Sequence, residues 1–310
     1  MPQLVENIDS SVYHVPVLYE ETLEALNIQP NGIYIDCTFG GGGHSAGILS
    51  KLGTKGQLIA FDQDEEAKAN IPANEQRIHF VPQNFKHIQR FTRLLQIDKV
   101  DGVLADLGVS SHQFDEGTRG FSIRFDGPLD MRMDTREPLT AQVVIETYTE
   151  QQLHKIFEQF GEVTNAKTLA KHLVTERNHR KMATIAQFKS AIAPLVKGNP
   201  NKYFAQVFQA LRIEVNNELG ALCEMLLQLN HVVKKGGRVA IITFHSLEDR
   251  LVKQFFKNGD FELKEDNPFV MDNPSPQWKL VYKKPVTASA EELKKNSRSR
   301  SAKLRVAEKL

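Results

Sequence analysis

Along the first third of the chain, the pattern of apolar and polar positions alternates between the period of a strand and the period of a helix. Short runs rich in β-branched and aromatic residues predict four strands, at 33–36, 57–61, 78–81 and 100–105. The segments between these strands carry apolar residues at helical spacing. Strands that alternate with helices in this way predict a parallel, doubly wound α/β sheet. Such sheets bind their ligands at the carboxyl ends of the strands.

The pattern changes near residue 115, beyond which helices are predicted without strands between them. Residues 119–134 follow neither period, which is typical of an ordered loop. Two capping boxes mark helix starts: Thr149 with Gln152, and Thr184 with Gln187. The second of these helices is predicted to reach Val196. We therefore expect an all-helical domain at 115–199, inserted into an α/β domain formed by 1–114 and 200–310.

The remainder of the chain is predicted to complete the sheet. A long apolar stripe favours one helix from Phe204 to the glycine pair at Gly236. A strand is predicted at 238–244, followed by a helix that Ser246 caps. Two further segments could finish the sheet as an antiparallel hairpin: 261–264 and 279–284.

A glycine-rich loop, residues 40–43, stands between the first strand and a helix. Glycines allow close approach of the backbone to a ligand, although they also serve purely structural tight turns. A dinucleotide site would need G-x-G-x-x-G directly after the strand. Here Asp36 ends the strand, and an acid favours a cationic ligand such as S-adenosylmethionine over a phosphate. Asp62 ends the second strand, where an acid can bind two ribose hydroxyls.

A second polar cluster, residues 106–113, follows the fourth strand. Asp and Ser after a strand are common turn residues, but Asp36, Asp62 and Asp106 then end three strands at one edge of the sheet. That edge is where a ligand is expected. Phe85 follows the third strand and could pack either against an adenine or into the core.

Composition narrows the classes of protein that the chain can represent. A chain of 310 residues with 41% apolar content can build one large domain or two, and its net charge of +1 leaves any attraction to nucleic acid local. Cys37 and Cys223 are far apart and form no zinc-spaced cluster. No run approaches the roughly 18 apolar residues of a membrane helix. We expect a cytoplasmic protein without a metal or a membrane partner.

The C-terminal residues are rich in serine and in positive charge. Segments of this kind are usually solvated, but this one is dense enough to neutralise phosphates. From composition alone, a solvated tail and a nucleic-acid contact remain equally open. The charged residues concerned are Lys294, Lys295, Arg298, Arg300, Lys303 and Arg305.

These motifs together resemble a known family, the bacterial small-subunit ribosomal RNA cytosine-N4 methyltransferases (the RsmH/MraW family). The similarity spans nearly the whole chain and rests on long, unusual strings. They are YHVPVL from Tyr13, DCTFGGGGHS from Asp36, DLGVSS from Asp106, RGFSIRFDGPLDMRMD from Arg119, FQALRIEVNNEL from Phe208, TFHSLEDR from Thr243 and NSRSRSAKLR from Asn296.

The resemblance implies a class I methyltransferase fold with a helical insertion. It also implies S-adenosylmethionine as methyl donor and a cytidine in the decoding region of 16S ribosomal RNA as acceptor. The implied cofactor-binding residues are Gly42, Gly43, His44, Asp62, Phe85, Asp106 and Gln113. Because DLGVSS replaces the D/N/S-P-P-Y/F motif of many amino-methyltransferases, the base-orienting roles of that motif do not transfer.

The resemblance leads to two expectations about the reaction. Asp106, or the backbone beside it, is expected to accept a hydrogen bond from the target amine as charge develops on it. The insertion and the C-terminal segment are expected to bind ribosomal RNA, so that deletion of 296–310 weakens this binding and flattens its salt dependence. A DNA amino-methyltransferase and a non-catalytic ribosome-assembly factor that binds the adenosyl ligand remain alternatives. An NAD-dependent dehydrogenase is disfavoured by Asp36.

Overall fold

The structure of the protein is a computed structural model that describes residues 16–261 and 276–310. For Ser111 and His112 it describes the backbone alone. The start of the YHVPVL string, residues 13–15, lies outside the described residues. So does almost all of the segment 261–264 that was predicted as a strand.

Within the described residues, seven strands form one sheet in the order β3-β2-β1-β4-β5-β7-β6. The strands are β1 (Ile33–Asp36), β2 (Gln57–Phe61), β3 (Ile78–Val81), β4 (Val100–Asp106), β5 (Val233–Thr243), β6 (Trp278–Leu280) and β7 (Lys303–Lys309). Strands β1 to β5 are parallel, and β7 is antiparallel to both of its neighbours. This arrangement confirms the predicted doubly wound α/β sheet. Strand β6, which overlaps the predicted hairpin segment 279–284, pairs antiparallel with the C-terminal strand β7; its predicted partner 261–264 lies almost wholly outside the described residues.

Helices cover the sheet and fill the chain between β4 and β5. The α-helices are α1 (Tyr19–Ala25), α2 (Gly43–Lys51), α3 (Ile88–Leu94), α4 (Ser111–Asp115), α5 (Ala141–Thr147), α6 (Glu150–Gln159), α7 (Ala166–Glu176), α8 (Ile185–Ile192), α9 (Pro200–Asn216), α10 (Glu218–Val232), α11 (Ser246–Asn258) and α12 (Ala290–Lys295). Short 3-10 helices lie at Glu65–Asn70, Phe85–His87, Gly117–Arg119, Ala193–Leu195 and Ser297–Ser301. In the described part of the chain, none of the helices combines the length and apolar character needed to cross a bilayer.

Two helix boundaries differ from prediction for backbone reasons. The helix predicted to reach Val196 ends at Ile192, where a 3-10 turn containing Pro194 takes over, because proline has no N–H for the helical ladder. The single long helix predicted from Phe204 is two helices. Asn217 separates them in the left-handed conformation, with φ of 46°, and asparagine tolerates this region better than most residues.

Helices α5 to α9 share a core that is distinct from those beside the sheet, whereas α10 packs into the core of the sheet. Phe157, Phe188 and Leu211 are fully buried in this cluster. Asn216 joins the irregular segment before α5 to α9, since its side chain bonds the Met131 carbonyl at 2.8 Å and the Met133 amide at 2.7 Å. The separate core supports an inserted helical domain, but it also contains Leu211 of α9, which the prediction assigned to the α/β domain (1–114 and 200–310) and not to the insertion (115–199). We retain the division into two domains as a proposal.

The last part of the basic C-terminal segment, from Lys303 onward, is a strand of the sheet. Strand β7 forms six register pairs with β5, and Leu304, Val306 and Ala307 are buried. Arg305 binds both carboxylate oxygens of Asp249, at 2.6 and 3.2 Å. A solvated tail is therefore the wrong description of 303–309. Charge density obscured an alternation of apolar and charged positions that is typical of a strand.

Candidate functional site

A cavity of about 920 Å³ lies at the carboxyl ends of the parallel strands. It spans the point between β1 and β4 where the strand order reverses, which is the ligand position expected for a doubly wound sheet. The predicted site residues that line it are Gly43, His44, Asp62, Phe85, Asp106 and Gln113. Gly42 is buried and lies behind this lining. The fold thus brings most of the predicted set to one place.

The glycine loop is shaped by two positive φ angles, 50° at Gly40 and 76° at Gly42. Gly43 begins α2, and a Cβ there would lie 2.4 Å from Pro16, so no larger residue fits. Gly41 faces open space, where a Cβ would meet nothing within 4 Å. The loop therefore presents bare backbone to the cavity beside the N-terminus of a helix.

Asp36 is buried beneath the glycine loop and does not line the cavity. It is 1% exposed and accepts hydrogen bonds from Ser45 Oγ at 2.7 Å and the Thr38 amide at 3.0 Å. Thr38 Oγ1 in turn accepts the amide N–H of Asp106 at 2.7 Å. Burial raises the pKa of Asp36. The effect of Asp36 therefore reaches the cavity through Thr38 and Asp106.

Asp62 lies where the sequence placed it, at the end of β2 and on the cavity. Its Oδ2 accepts the Gly40 amide at 2.7 Å and its Oδ1 accepts the Asp64 amide at 2.8 Å. Each carboxylate oxygen keeps a further lone pair for a ligand hydroxyl. Burial raises the pKa of Asp62 to about 6, although these two amides oppose the shift.

A network that the sequence reasoning missed extends from Asp62 to the insertion. Asp64 is 8% exposed and accepts from Gln113 Nε2 at 2.8 Å. It also pairs with Arg119 at 2.9 Å, and Arg119 bonds the carbonyls of residues 132 and 133. The one signal in the sequence was the second acid in the string DQD, two residues after Asp62.

Phe85 packs against the core and also lines the cavity, so a contact with an adenine stays a prediction. It starts the 3-10 helix after β3, where Asn84 caps the turn by accepting the Lys86 amide at 2.9 Å. Its ring is half-buried against the core between the sheet and α10, and it also lines the cavity. A planar ligand group could pack on its exposed part.

Asp106 carries the most unusual polar group in the cavity. Its Oδ1 is buried without a hydrogen-bond partner among the described residues, and its Oδ2 lies 3.6 Å from His44 Nδ1. Burial, with the nearby charges of Asp36 and Glu248, raises the pKa of Asp106 well above its ordinary value. A buried acceptor of this kind is costly for folding and indicates a functional role.

His44 is held as a neutral ring beside that carboxyl group. Its Nε2 lies 3.1 Å from the Val17 carbonyl, which can only accept, so Nε2 carries the proton. Burial lowers the pKa of His44 to about 4. Neutral His44 therefore presents the lone pair of Nδ1 toward Asp106.

A second wall of the cavity comes from α9, α10 and the end of β5, and sequence reasoning assigned it no function. Arg212 Nε and Nη2 bind the two oxygens of Glu218 at 2.8 and 3.0 Å. Glu248 is 2% exposed and accepts the Phe244 amide at 2.9 Å. These residues lie in two of the strings that carry the resemblance, FQALRIEVNNEL and TFHSLEDR, but the sequence alone does not show that the two strings meet at one cavity.

The start of α11 differs from prediction. His245, not Ser246, is the N-cap residue, and Glu248 reaches back to the backbone of residues 244 and 245. Burial would raise the pKa of Glu248, but the hydrogen bond from His245 and the surrounding donors lower it.

Glu218, His245 and Glu248 place one ligand atom each within 4.8 Å of the others, a spacing that could suit a metal ion. However, the guanidinium of Arg212 already contacts both oxygens of Glu218. A second cation there would be repelled by Arg212. We therefore treat these side chains as a hydrogen-bonding surface.

The sequence profile of the MraW methylase family matches residues 11–310. "Ribosomal RNA small subunit methyltransferase H" from Parabacteroides distasonis is 51% identical over 302 residues, which cover 97% of this chain and 98% of that protein. The proteins of the same name from Bacteroides thetaiotaomicron (49% identical, covering 97% and 99%) and Amoebophilus asiaticus (50% identical, covering 98% and 98%) are similarly related.

Proposed function

Because the chain belongs to the MraW methylase family, we propose that it methylates the exocyclic N4 of a cytidine in the decoding region of 16S ribosomal RNA. The fold is that of class I methyltransferases, and S-adenosylmethionine is the methyl donor. Ribosomal RNA of the small subunit is the substrate class that the names of its relatives support. Such a substrate places the activity in the cytoplasm.

Four observations support a fit between the cavity and the methyl donor. The glycine loop presents backbone without side chains at Gly41, and Asp62 has lone pairs free for ribose hydroxyls. Phe85 offers a flat apolar surface at the end of β3. Asp106 places an unpaired acidic oxygen near the loop, where a cationic group would offset its buried charge.

The reaction depends on alignment. When bound, S-adenosylmethionine supplies an electrophilic methyl group on a sulfonium centre. Cytosine N4 is a poor nucleophile because its lone pair is delocalised into the ring. Fixing the reacting atoms in line can contribute up to roughly 7–11 kcal/mol in favourable cases. Here Thr38 fixes Asp106 to the glycine loop at 2.7 Å, so the donor and acceptor sides of the cavity are held together.

The single observation that carries the proposal is the orphaned Oδ1 of Asp106. In our proposal this oxygen accepts a hydrogen bond from the amine as positive charge develops on N4. His44 Nδ1 lies 3.6 Å from the other oxygen, and the neutral ring leaves a proton received from the amine on the carboxyl group of Asp106. The target base must be unstacked to reach the cavity, which suits single-stranded or locally opened RNA.

Incubation of the protein with labelled S-adenosylmethionine and unmodified small subunits tests the proposal. Digestion to nucleosides should then yield labelled N4-methylcytidine. Parallel reactions on naked DNA separate a DNA amino-methyltransferase, which would label DNA instead. Binding of the donor without any labelled nucleoside would identify a non-catalytic assembly factor.

Asp62 gives a prediction about pH. Its carboxylate form accepts ribose hydroxyls, so affinity for S-adenosylhomocysteine should fall as the pH drops through the raised pKa of about 6. The loss should be reversible and measurable by titration calorimetry. Asp62→Asn should lower affinity at neutral pH by roughly tenfold or more, since it removes a charged acceptor.

The Asp62→Asn variant is also the control, because other buried acids titrate in the same cavity. Its residual affinity should depend much less on pH than that of the wild type. A wild-type affinity that stays constant from above this pKa to well below it would exclude a ribose contact by Asp62.

A further inference from the structure

The guanidinium of Arg212 keeps one nitrogen free. Nε and Nη2 are committed to Glu218, whereas Nη1 has no hydrogen-bond partner among residues 16–261 and 276–310. Only 21% of the side chain is exposed, and it lines the cavity. An arginine in this setting has hydrogen-bond donors left to offer to a ligand.

The direction of Arg212 is fixed by the backbone around it. Glu218 is the first residue of α10 and follows the left-handed turn at Asn217, so both partners stand on rigid helices. The two parallel hydrogen bonds of an arginine–carboxylate pair hold the guanidinium plane in one orientation. Glu248 adds attraction from the end of β5, since its charge supports the raised pKa of Arg212.

The position of Arg212 separates it from the nucleoside end of the methyl donor. Asp62 and Phe85 follow β2 and β3, on one side of the reversal in strand order. Arg212 and Glu218 share their side of the cavity with Phe244, which follows β5, on the other. Asp106 ends β4 and interacts electrostatically with Glu248 of this second wall. The cavity volume of about 920 Å³ is near the upper end of the roughly 300–1,000 Å³ range of ligand pockets, so two ligands can meet there.

The free groups on this side match the pairing edge of cytosine. Cytosine presents an N–H donor at N4 and an acceptor at N3, while uracil presents an acceptor at O4 and an N–H donor at N3. Asp106 Oδ1 is an unpartnered acceptor and Arg212 Nη1 an unpartnered donor. Uracil would oppose acceptor to acceptor and donor to donor at the same two positions, which is a strong basis for rejection.

We propose that Arg212, oriented by Glu218, is a specificity-determining residue that donates from Nη1 to N3 of the target cytosine. The inference rests on the proposed function and adds a residue that recognises the target base. An enzyme that takes a base out of the stack recognises it through this edge. The Arg212–Glu218 pair thus separates cytosine from uracil, while the acid at Asp106 serves the amine.

The test pairs a protein variant with an atomic change in the base. Small subunits are reconstituted with 16S ribosomal RNA that carries cytidine or 3-deazacytidine at the modified position. The analogue retains the N4 amine and replaces N3 by C–H. For the wild type, kcat/KM should fall by roughly ten- to hundredfold on the analogue, as expected when a hydrogen bond from a charged donor is lost.

Arg212→Lys keeps a positive charge but loses the planar fork. This variant should lose a similar factor on cytidine and little more on 3-deazacytidine, because the partner atom is already absent. The wild type and Arg212→Lys, each measured on both RNAs, give four kcat/KM values that form a double-mutant cycle. Any difference in intrinsic reactivity between cytidine and 3-deazacytidine cancels in this cycle. Affinity for S-adenosylhomocysteine, measured by calorimetry, should stay at the wild-type value.

The matched control is Arg77→Lys, which alters a bidentate arginine–glutamate pair outside the cavity. It should behave as the wild type on both RNAs. Equal losses on cytidine and 3-deazacytidine in Arg212→Lys would overturn the inference, as would a wild type that is indifferent to the analogue. Failure of the wild type to form N4-methylcytidine on natural subunits would instead reject the proposed function, so the two failures are distinct.

Discussion

Deletion of residues 296–310 is expected to prevent folding of the α/β domain instead of merely loosening RNA binding. The deletion removes β7, which lies between β5 and β6 and pairs with β5 at six positions. Without it, β5 becomes an exposed edge and β6 loses its only partner strand among the described residues. Thermal unfolding followed by near-ultraviolet circular dichroism should show no cooperative transition.

The size of the effect follows from burial. Leu304 and Val306 are 0% and 1% exposed, and each contributes roughly 1.5–3 kcal/mol when buried. The Arg305–Asp249 pair and the ladder to β5 disappear as well. A typical domain has only about 5–15 kcal/mol of stability in total. A truncated protein with an unchanged, cooperative transition would contradict this account of β7.

A triple variant separates charge from fold in the same segment. Lys294, Lys295 and Arg300 are exposed, and their joint replacement by alanine leaves the strand intact. If this surface binds phosphates, RNA binding should weaken and the slope of log affinity against log salt should decrease by roughly 0.7–0.9 for each phosphate that is no longer neutralised. An unchanged slope in the folded triple variant would remove this segment from the RNA interface.

The parts of the fold that were predictable from sequence are those whose signals are local. Strands β1, β2 and β3 were predicted with the observed bounds, because short β-branched or aromatic runs end at acidic or turn residues. Strand β7 was missed although Leu304 and Val306 alternate with charged neighbours. The charges of Lys303 and Arg305 suggested a solvated segment, whereas both pair with Asp249 in the first turn of α11.

The candidate site divides in the same way. Asp62 and Asp106 were predictable because each ends a strand, and parallel strands bring their carboxyl ends to one edge. The role of Arg212 was not predictable, because it depends on the pairing with Glu218 beyond a left-handed turn and on a cavity that Asp106 of β4 also lines. Periodicity identifies the buried stripe of α9 and α10 but does not indicate which polar side chain turns into a cavity.

Replacement of Asp106 by alanine is expected to lower turnover by about 10²–10⁴-fold at saturating donor and RNA, the range typical of a lost acid–base partner. The acidic oxygen that faces the target amine disappears, while the glycine loop and Asp62 remain. Wild-type turnover should rise with pH and level off above the raised pKa of Asp106, because the carboxylate is the acceptor. Single-turnover rates on small subunits over a pH series measure both effects. Retention of wild-type turnover by Asp106→Ala would exclude the role.

The contribution of Asp106 to the free energy of unfolding should decrease as the pH rises, whereas turnover increases. The pKa of Asp106 is raised by folding, so the folded protein binds more protons than the unfolded chain, and the group's favourable contribution to stability is lost as the pH rises through that raised pKa. Asp106→Asn removes this dependence. Its free energy of unfolding, from denaturant titration, should exceed that of the wild type by an amount that grows from acid to neutral pH.

Asp249 provides the matched comparison, since it is an acid outside the cavity with the reverse shift. Burial would raise the pKa of Asp249, but the hydrogen bonds from Arg305 lower it. Its carboxylate therefore stabilises the fold above the ordinary aspartate pKa, and this contribution is lost as the pH falls through the lowered value. Asp249→Asn should thus be less stable than the wild type at neutral pH, with an unaltered pH dependence of turnover. If Asp106→Asn and Asp249→Asn shift the free energy of unfolding in the same direction, burial of the Asp106 carboxylate is not unfavourable. Its oxygen is then not held in place for catalysis.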